Sequence, residues 1–148
     1  MRHKKKGRQL GRQTKHRWAL FRSLVTSLLE QERIETTEAK AKEIRGFTDR
    51  MISLGKDGSL PARRRALSFL RSKAVVSKLF SDVASRFRDR PGGYTRIIRT
   101  RRRVGDAAEM VAIELVARPT NPAASPSSDS PPTEKKETVE KSSAPIEN

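Results

Sequence analysis

Nine lysines and arginines, and no carboxylate, fall within the first twenty-two residues: Arg2, Lys4, Lys5, Lys6, Arg8, Arg12, Lys15, Arg17 and Arg22. Fixed cations at this density neutralise closely spaced anionic charges, and arginine adds a planar fork that grips phosphate and stacks on bases. Gly7 and Gly11 interrupt the run, and Leu10 is the only branched aliphatic residue before Trp18. No apolar stripe of helical period starts earlier, so residues 1–15 read as an extended arm that takes shape on its partner. Cations recur as Arg63, Arg64 and Arg65, and again as Arg96, Arg99, Arg101, Arg102 and Arg103 in a β-branched stretch beginning at Tyr94 and Thr95. A cationic strand carrying an aromatic can neutralise and stack together, although Tyr94 fits equally well as a core residue flanking a turn.

Catalysis needs a convergent set of groups, and none is visible. His3 lies in the arm and His16 at the mouth of the first helical stripe, with no acid nearby in sequence to orient either ring as a base. No serine sits in a nucleophile elbow, and Gly92 and Gly93 lack the Gly-Lys-Ser/Thr that a phosphate loop requires. With no cysteine, two histidines and scattered carboxylates, no metal site is expected. The reading is a binding protein without cofactor, metal or small-molecule substrate.

The 148 residues, 34% of them hydrophobic, suffice for one modest domain, and a formal net charge of +16 exceeds what an incidental surface property produces. Five acids against three lysines in residues 120–148 leave that end at −2, so residues 1–119 carry +18. A partner with closely spaced phosphates relieves the self-repulsion and releases counterions, which makes nucleic acid the leading partner. A membrane surface would call for an amphipathic basic helix or a lipid anchor, and a membrane span for about 20 apolar residues. The best candidate, Met110–Ala117, is short and broken by Glu114, so no membrane partner is expected. The Arg-rich start has the composition of a transit peptide, but the stripe behind it reads as a core helix, so the arm is kept as mature structure. The absence of cysteine fits a reducing compartment.

To position these groups, Phe21, Leu24, Val25, Leu28 and Leu29 mark a first helix over His16–Glu32 with Thr14 as its cap. A second helix follows Thr37, burying Ala41, Ile44, Met51 and Ile52 with Phe47 and Leu54 at its flanks, and Gly55 and Gly58 stop it. Ser59 and Pro61 open a third around Ala66, Leu67 and Leu70. Ser72 opens a fourth around Val76, Leu79, Phe80, Val83 and Phe87, ended by Arg90-Pro91-Gly92-Gly93. Two β-branched runs, Tyr94–Arg103 and Glu109–Ala117, flank a turn at Gly105 and Asp106 and predict a hairpin whose Val111, Ile113 and Leu115 share one face. Along the first run, alternation puts Thr95, Ile97, Arg99 and Arg101 opposite Tyr94, Arg96, Ile98 and Thr100. The expected class is α+β: four helices on a small antiparallel sheet over 16–118. Residues 119–148, rich in Pro, Ser, Glu and Lys, are expected to be disordered. Trp18 is open between burial and stacking on RNA.

Four ordered blocks, MRHKKKGRQLGRQTKHR, LVTSLLEQERIETTEAKAKEIR, RFRDRPGGYTRI and GDAAEMVAIELV, resemble the bacterial large-subunit ribosomal protein seventeen family across about residues 1–117. The resemblance implies a cytoplasmic structural constituent of the large ribosomal subunit that binds and clamps its large RNA and touches neighbouring ribosomal proteins near the peptide exit region. Carried onto this chain, the RNA-facing positions are Arg2, His3, Lys4, Lys5, Lys6, Arg8, Arg12, His16 and Arg17, then Arg63 and Arg64, then Tyr94, Thr95 and Arg96. Charge adds Lys15, Arg99, Arg101, Arg102 and Arg103 to that set. A third strand from Arg33–Thr36 is also implied. Glu109 departs from a usual proline, Trp18 from a commonly polar residue, and Arg101–Arg103 make their loop unusually cationic. The competing reading is a free nucleic-acid-binding or nucleoid-compacting protein, which the charge permits but for which no helix-turn-helix, zinc finger or zipper is visible.

Overall fold

Helix α1 (Thr14–Gln31) starts before the apolar stripe requires it, and the computed structural model, which describes residues 7–117, places Gln13 rather than Thr14 at its N-cap. Phe21, Val25, Leu28 and Leu29 are its buried stripe, with Leu24 packed at the margin. Glu32 ends it in a left-handed conformation (φ 62°) and donates its N–H to Leu28 O at 2.8 Å. Strand β1 (Arg33–Thr37) leads into helix α2 (Glu38–Asp57), which buries Ala41, Ile44, Thr48, Met51 and Ile52 and terminates at Gly58. Thr37 occupies the N-cap of α2 without a side-chain bond. Gly55 is no stop: it is buried inside α2, where an added Cβ would meet Ala84 Cβ at 3.2 Å and Leu79 Cγ at 3.3 Å. That glycine lets the fourth helical segment approach the α2 backbone.

Helix α3 (Leu60–Phe69) is capped as its sequence predicts, with Ser59 Oγ accepting the Ala62 N–H at 3.3 Å and a proline in its first turn. Ala62, Ala66 and Leu70 face inward, whereas Leu67, expected inside, is exposed. The fourth helix opens at Ser72, whose Oγ accepts the Val75 N–H at 3.4 Å. It runs as α4 (Lys73–Lys78), a π-helical turn (Leu79–Val83) and α5 (Ala84–Arg86), burying Val75, Val76, Leu79, Val83 and Ala84.

Strands β2 (Thr95–Arg102) and β3 (Glu109–Leu115) form the expected hairpin, trimmed at its ends. β1 joins it, so the antiparallel order is β1-β3-β2 with the last strand in the middle; Ile113 pairs with Ile34 on one side and Ile97 on the other. The pairing of β2 with β3 shifts register between Arg99 and Arg102. Helix α2 touches all three strands, and α1 touches β1 and β3. Val111, Ile113 and Leu115 enter the core with the inward residues of α1, α2 and the fourth helix.

A polar corner joins three elements. The Glu32 carboxylate, 7% exposed, receives Arg86 bidentately at 2.7 and 2.9 Å and Lys78 at 2.9 Å. Arg86 also donates to Ala117 O at 2.7 Å, and Leu115 N donates to Glu32 O at 3.0 Å. Burial alone would push the Glu32 carboxyl up, but the hydrogen bonds from Arg86 and Lys78 overcome it and hold it below its ordinary value.

The described part of the arm, residues 7–13, holds one tight turn and no helix or strand. Arg12 N donates to Gln9 O at 3.1 Å, and Leu10 (φ 54°) and Gly11 (φ 60°) are both left-handed, which makes a tight turn of the primed type. Leu10 packs on the core. Arg2, His3, Lys4, Lys5, Lys6 and the tail expected to be disordered lie outside the described residues.

Candidate nucleic-acid interface

The cations chosen from sequence fall into two electrostatic classes. In the first, Arg12, Lys15, His16 and Arg17 occupy the arm's turn and the first turn of α1, and among the described residues none meets a carboxylate; Arg17 is half-buried and the others are exposed. Arg8 stands 3.8 Å from Glu43 of α2. Arg63 and Arg64 project from α3 into solvent with Arg65, and the Arg63 guanidinium lies 5.5 Å from the Phe80 ring centroid. Arg65, Arg71 and Lys73 belong with them and were not chosen from the sequence. The signal was present: between Asp57 and Asp82 there are six cations and no acid.

In the second class every arginine already has an acid. Arg96 Nε donates to Glu114 Oε1 at 3.0 Å, Arg99 lies 3.7 Å from Glu38, and Arg101 Nε donates to Glu35 at 3.0 Å. Arg102 reaches Glu109 at 2.7 Å and Arg103 reaches Asp106 at 2.6 Å. The Arg103 hydrogen bond holds the Asp106 carboxyl down at about 2. Glu109, which departs from the family pattern, is thus the counter-charge of Arg102. This surface is cationic in sequence but locally compensated in space.

Two of the chosen positions, Tyr94 and Thr95, are buried. Tyr94 is 2% exposed, with its ring edge-on to Phe87 at 5.1 Å and its N–H donated to Asp49 Oδ1 at 3.3 Å, so it is the turn-flanking core residue and presents no face for stacking. Burial pushes the Asp49 carboxyl up, against the pull of that hydrogen bond. Thr95 is buried, and its hydroxyl has no partner among the described residues. The double glycine delivers Tyr94 to the core. Trp18 is neither buried nor free: it is 42% exposed and stands at 71–80° to the rings of Phe21, Phe47 and Phe69.

The arrangement defines a basic α+β protein in which the chosen cations of the first turn of α1 and of α3 lack a carboxylate partner among the described residues, while those of the hairpin have one. Among the described residues no cluster of three or more His, Asp, Glu or Cys could hold a metal ion, and no helix is long and apolar enough to cross a membrane. The family model described as Ribosomal protein L17 matches residues 20–116. The chain is 60% identical over 116 residues to the "Large ribosomal subunit protein bL17" of Trichlorobacter lovleyi, covering 78% of this chain and 94% of that one. It is 57% identical over 125 residues to the protein of the same name from Pelobacter propionicus, covering 84% and 98%, and 57% identical over 121 residues to that of Geobacter metallireducens, covering 82% and 68%. The chain belongs to the ribosomal protein L17 family, a family of structural components of the large ribosomal subunit and not of enzymes.

Proposed function

We propose that this chain is a cytoplasmic structural constituent of the large ribosomal subunit that clamps large-subunit ribosomal RNA between its N-terminal arm and the exposed face of α3, against neighbouring ribosomal proteins near the peptide exit region. The observation that carries the reading is the segregation of charge: Arg12, Lys15, Arg17, Arg63 and Arg64 have no carboxylate partner among the described residues, while five hairpin arginines do. Free cations release counterions when they meet phosphate, whereas a paired arginine must first surrender its acid. Arg2, His3, Lys4, Lys5, Lys6, Arg8 and His16 add to the RNA-binding set by their place in the sequence, and Arg96, Arg99, Arg101, Arg102 and Arg103 contribute a secondary, weaker edge.

Sedimentation of large subunits from cells expressing the tagged full-length chain tests membership: stoichiometric recovery that survives a salt wash is expected, and recovery with DNA instead overturns it. The division of labour has its own measurement. Arg63→Ala and Arg64→Ala are each expected to reduce the log-log salt slope of ribosomal RNA binding by about 0.7 to 0.9, with Arg101→Ala and Arg102→Ala each well below that. Equal slopes for the two pairs would show that ion pairing inside the hairpin does not discount its arginines.

A further inference from the structure

Trp18 is the chain's one tryptophan, and it borders a cleft of about 560 Å³ between the arm, α1 and α2. A cleft of that size lies within the range of sites that take small organic groups. One wall is aromatic: Phe21 and Phe47 stack at 5.1 Å, and the indole stands edge-on to both, with Phe69 behind them on Phe47. The indole N–H has no acceptor among the described residues. The remaining wall is charged, with Arg8, Arg17, Lys42 and Arg50 against a single acid, Glu43. Arg8 faces Glu43 and Lys42 is held by Glu38 at 2.8 Å, which leaves Arg17 and Arg50 without a carboxylate partner among the described residues. The floor is the α2 backbone at Gly46, where an added Cβ would meet nothing within 4 Å.

We propose that this cleft takes one unpaired RNA nucleotide, its base against the Trp18 indole and its phosphate between Arg17 and Arg50. The proposal rests on the RNA-binding reading and adds to it a specific place and chemistry. An aromatic platform beside free guanidiniums is what a nucleotide offers partners for, a flat ring and an anion at fixed separation. An apolar side chain from a protein neighbour would cover the rings but would desolvate Arg17 and Arg50 with no counter-charge.

A lone tryptophan makes the test direct. The full-length protein is titrated with a short oligoadenylate, and separately with inorganic polyphosphate, while Trp18 emission and binding are followed together. Oligoadenylate is expected to quench the emission and polyphosphate to bind without quenching. Trp18→Ala is expected to weaken oligoadenylate binding roughly 5- to 150-fold, the loss of one base-aromatic stack, with Trp18→Phe recovering part of it. Gly46→Leu, which places a side chain in the cleft while Trp18 is kept and favours the helix, is expected to weaken oligoadenylate binding similarly and to remove the quenching, with its cooperative melting transition retained. Oligoadenylate bound with unchanged emission, equal quenching by polyphosphate, or wild-type affinity in Gly46→Leu overturns the cleft and leaves RNA binding by the arm standing. Failure of the unmodified protein to bind oligoadenylate at all overturns both.

Discussion

Removing Met1–Gln13 is expected to lower the log-log salt slope of binding to large-subunit ribosomal RNA by about 4, because six cations leave with the segment and each phosphate contact contributes about 0.7 to 0.9. A change of that size amounts to more than a hundredfold in how strongly affinity responds between low and moderate salt, and no single substitution elsewhere in the chain approaches it. The body should survive the deletion, since α1 begins at Thr14 and makes no side-chain cap bond with Gln13. Among the described residues the contacts at stake are Leu10 on the core, the Arg8–Glu43 pair at 3.8 Å and the Arg17 N–H donated to Gln13 O at 2.9 Å. Filter binding across a salt series, paired with a thermal melt, separates the two effects. A slope that stays where it was, in a chain that still melts cooperatively, would remove the arm from the interface.

The second large effect concerns stability. Glu32→Ala is expected to cost about 2 to 3 kcal/mol, read as a melting temperature lower by roughly 10 to 15 °C. The substitution strips a buried carboxylate from Arg86 and Lys78, whose side chains are 16% and 34% exposed, and Arg86 Nε is already buried without a partner. Losing one member of a desolvated pair leaves the other charge uncompensated, and the partial exposure of Lys78 keeps the figure below that of a fully buried pair. Alanine also retains the left-handed backbone at position 32 with only its backbone bonds to Leu28 and Leu115 to hold it. Asp82→Ala serves as the control: its carboxylate reaches the same arginine at 3.0 Å from a half-exposed site, and its loss should cost at most about 0.5 kcal/mol. The acid dependence follows from the depressed Glu32 carboxyl. Its contribution is fully present above the ordinary value of 4.5 and disappears as pH falls through the lower folded value, so the gap between native and Glu32→Ala proteins should close on acidification. A gap that widens instead would contradict the network.

The helices were legible because each carries a local signature. Stripes at 3.6-residue spacing named the buried residues of α1 and α2 almost completely, and Ser59 and Ser72 cap as their positions suggest. What failed depends on partners distant in sequence. Gly55 reads as a breaker, yet it is a contact point for Leu79 and Ala84, a role visible only when the fourth helix is in place. Arg33–Thr36 reads from its residues as no more than a short extended connection, since the five residues of β1, mixed in burial, contain no alternation strong enough to announce pairing with residues 110–114. The same holds for charge. Arg101 and Glu35 are 66 positions apart and bonded at 3.0 Å, so a basic run in the sequence became a compensated surface in space. Tyr94 and Thr95 sit beside a flexible pair of glycines and are core residues all the same, because the Asp49 carboxylate and Phe87 receive Tyr94.

The placement of β3 has a consequence for biosynthesis. While the polypeptide is being made, β1 and β2 emerge with no mate, because the strand that joins them is translated after both. A nascent chain halted before Glu109 would display unpaired strand edges, each a template for unwanted association. Closure then links positions 33 and 114 in one late event, a long-range pairing of the kind that folds slowly, so the body completes itself from its far end backward.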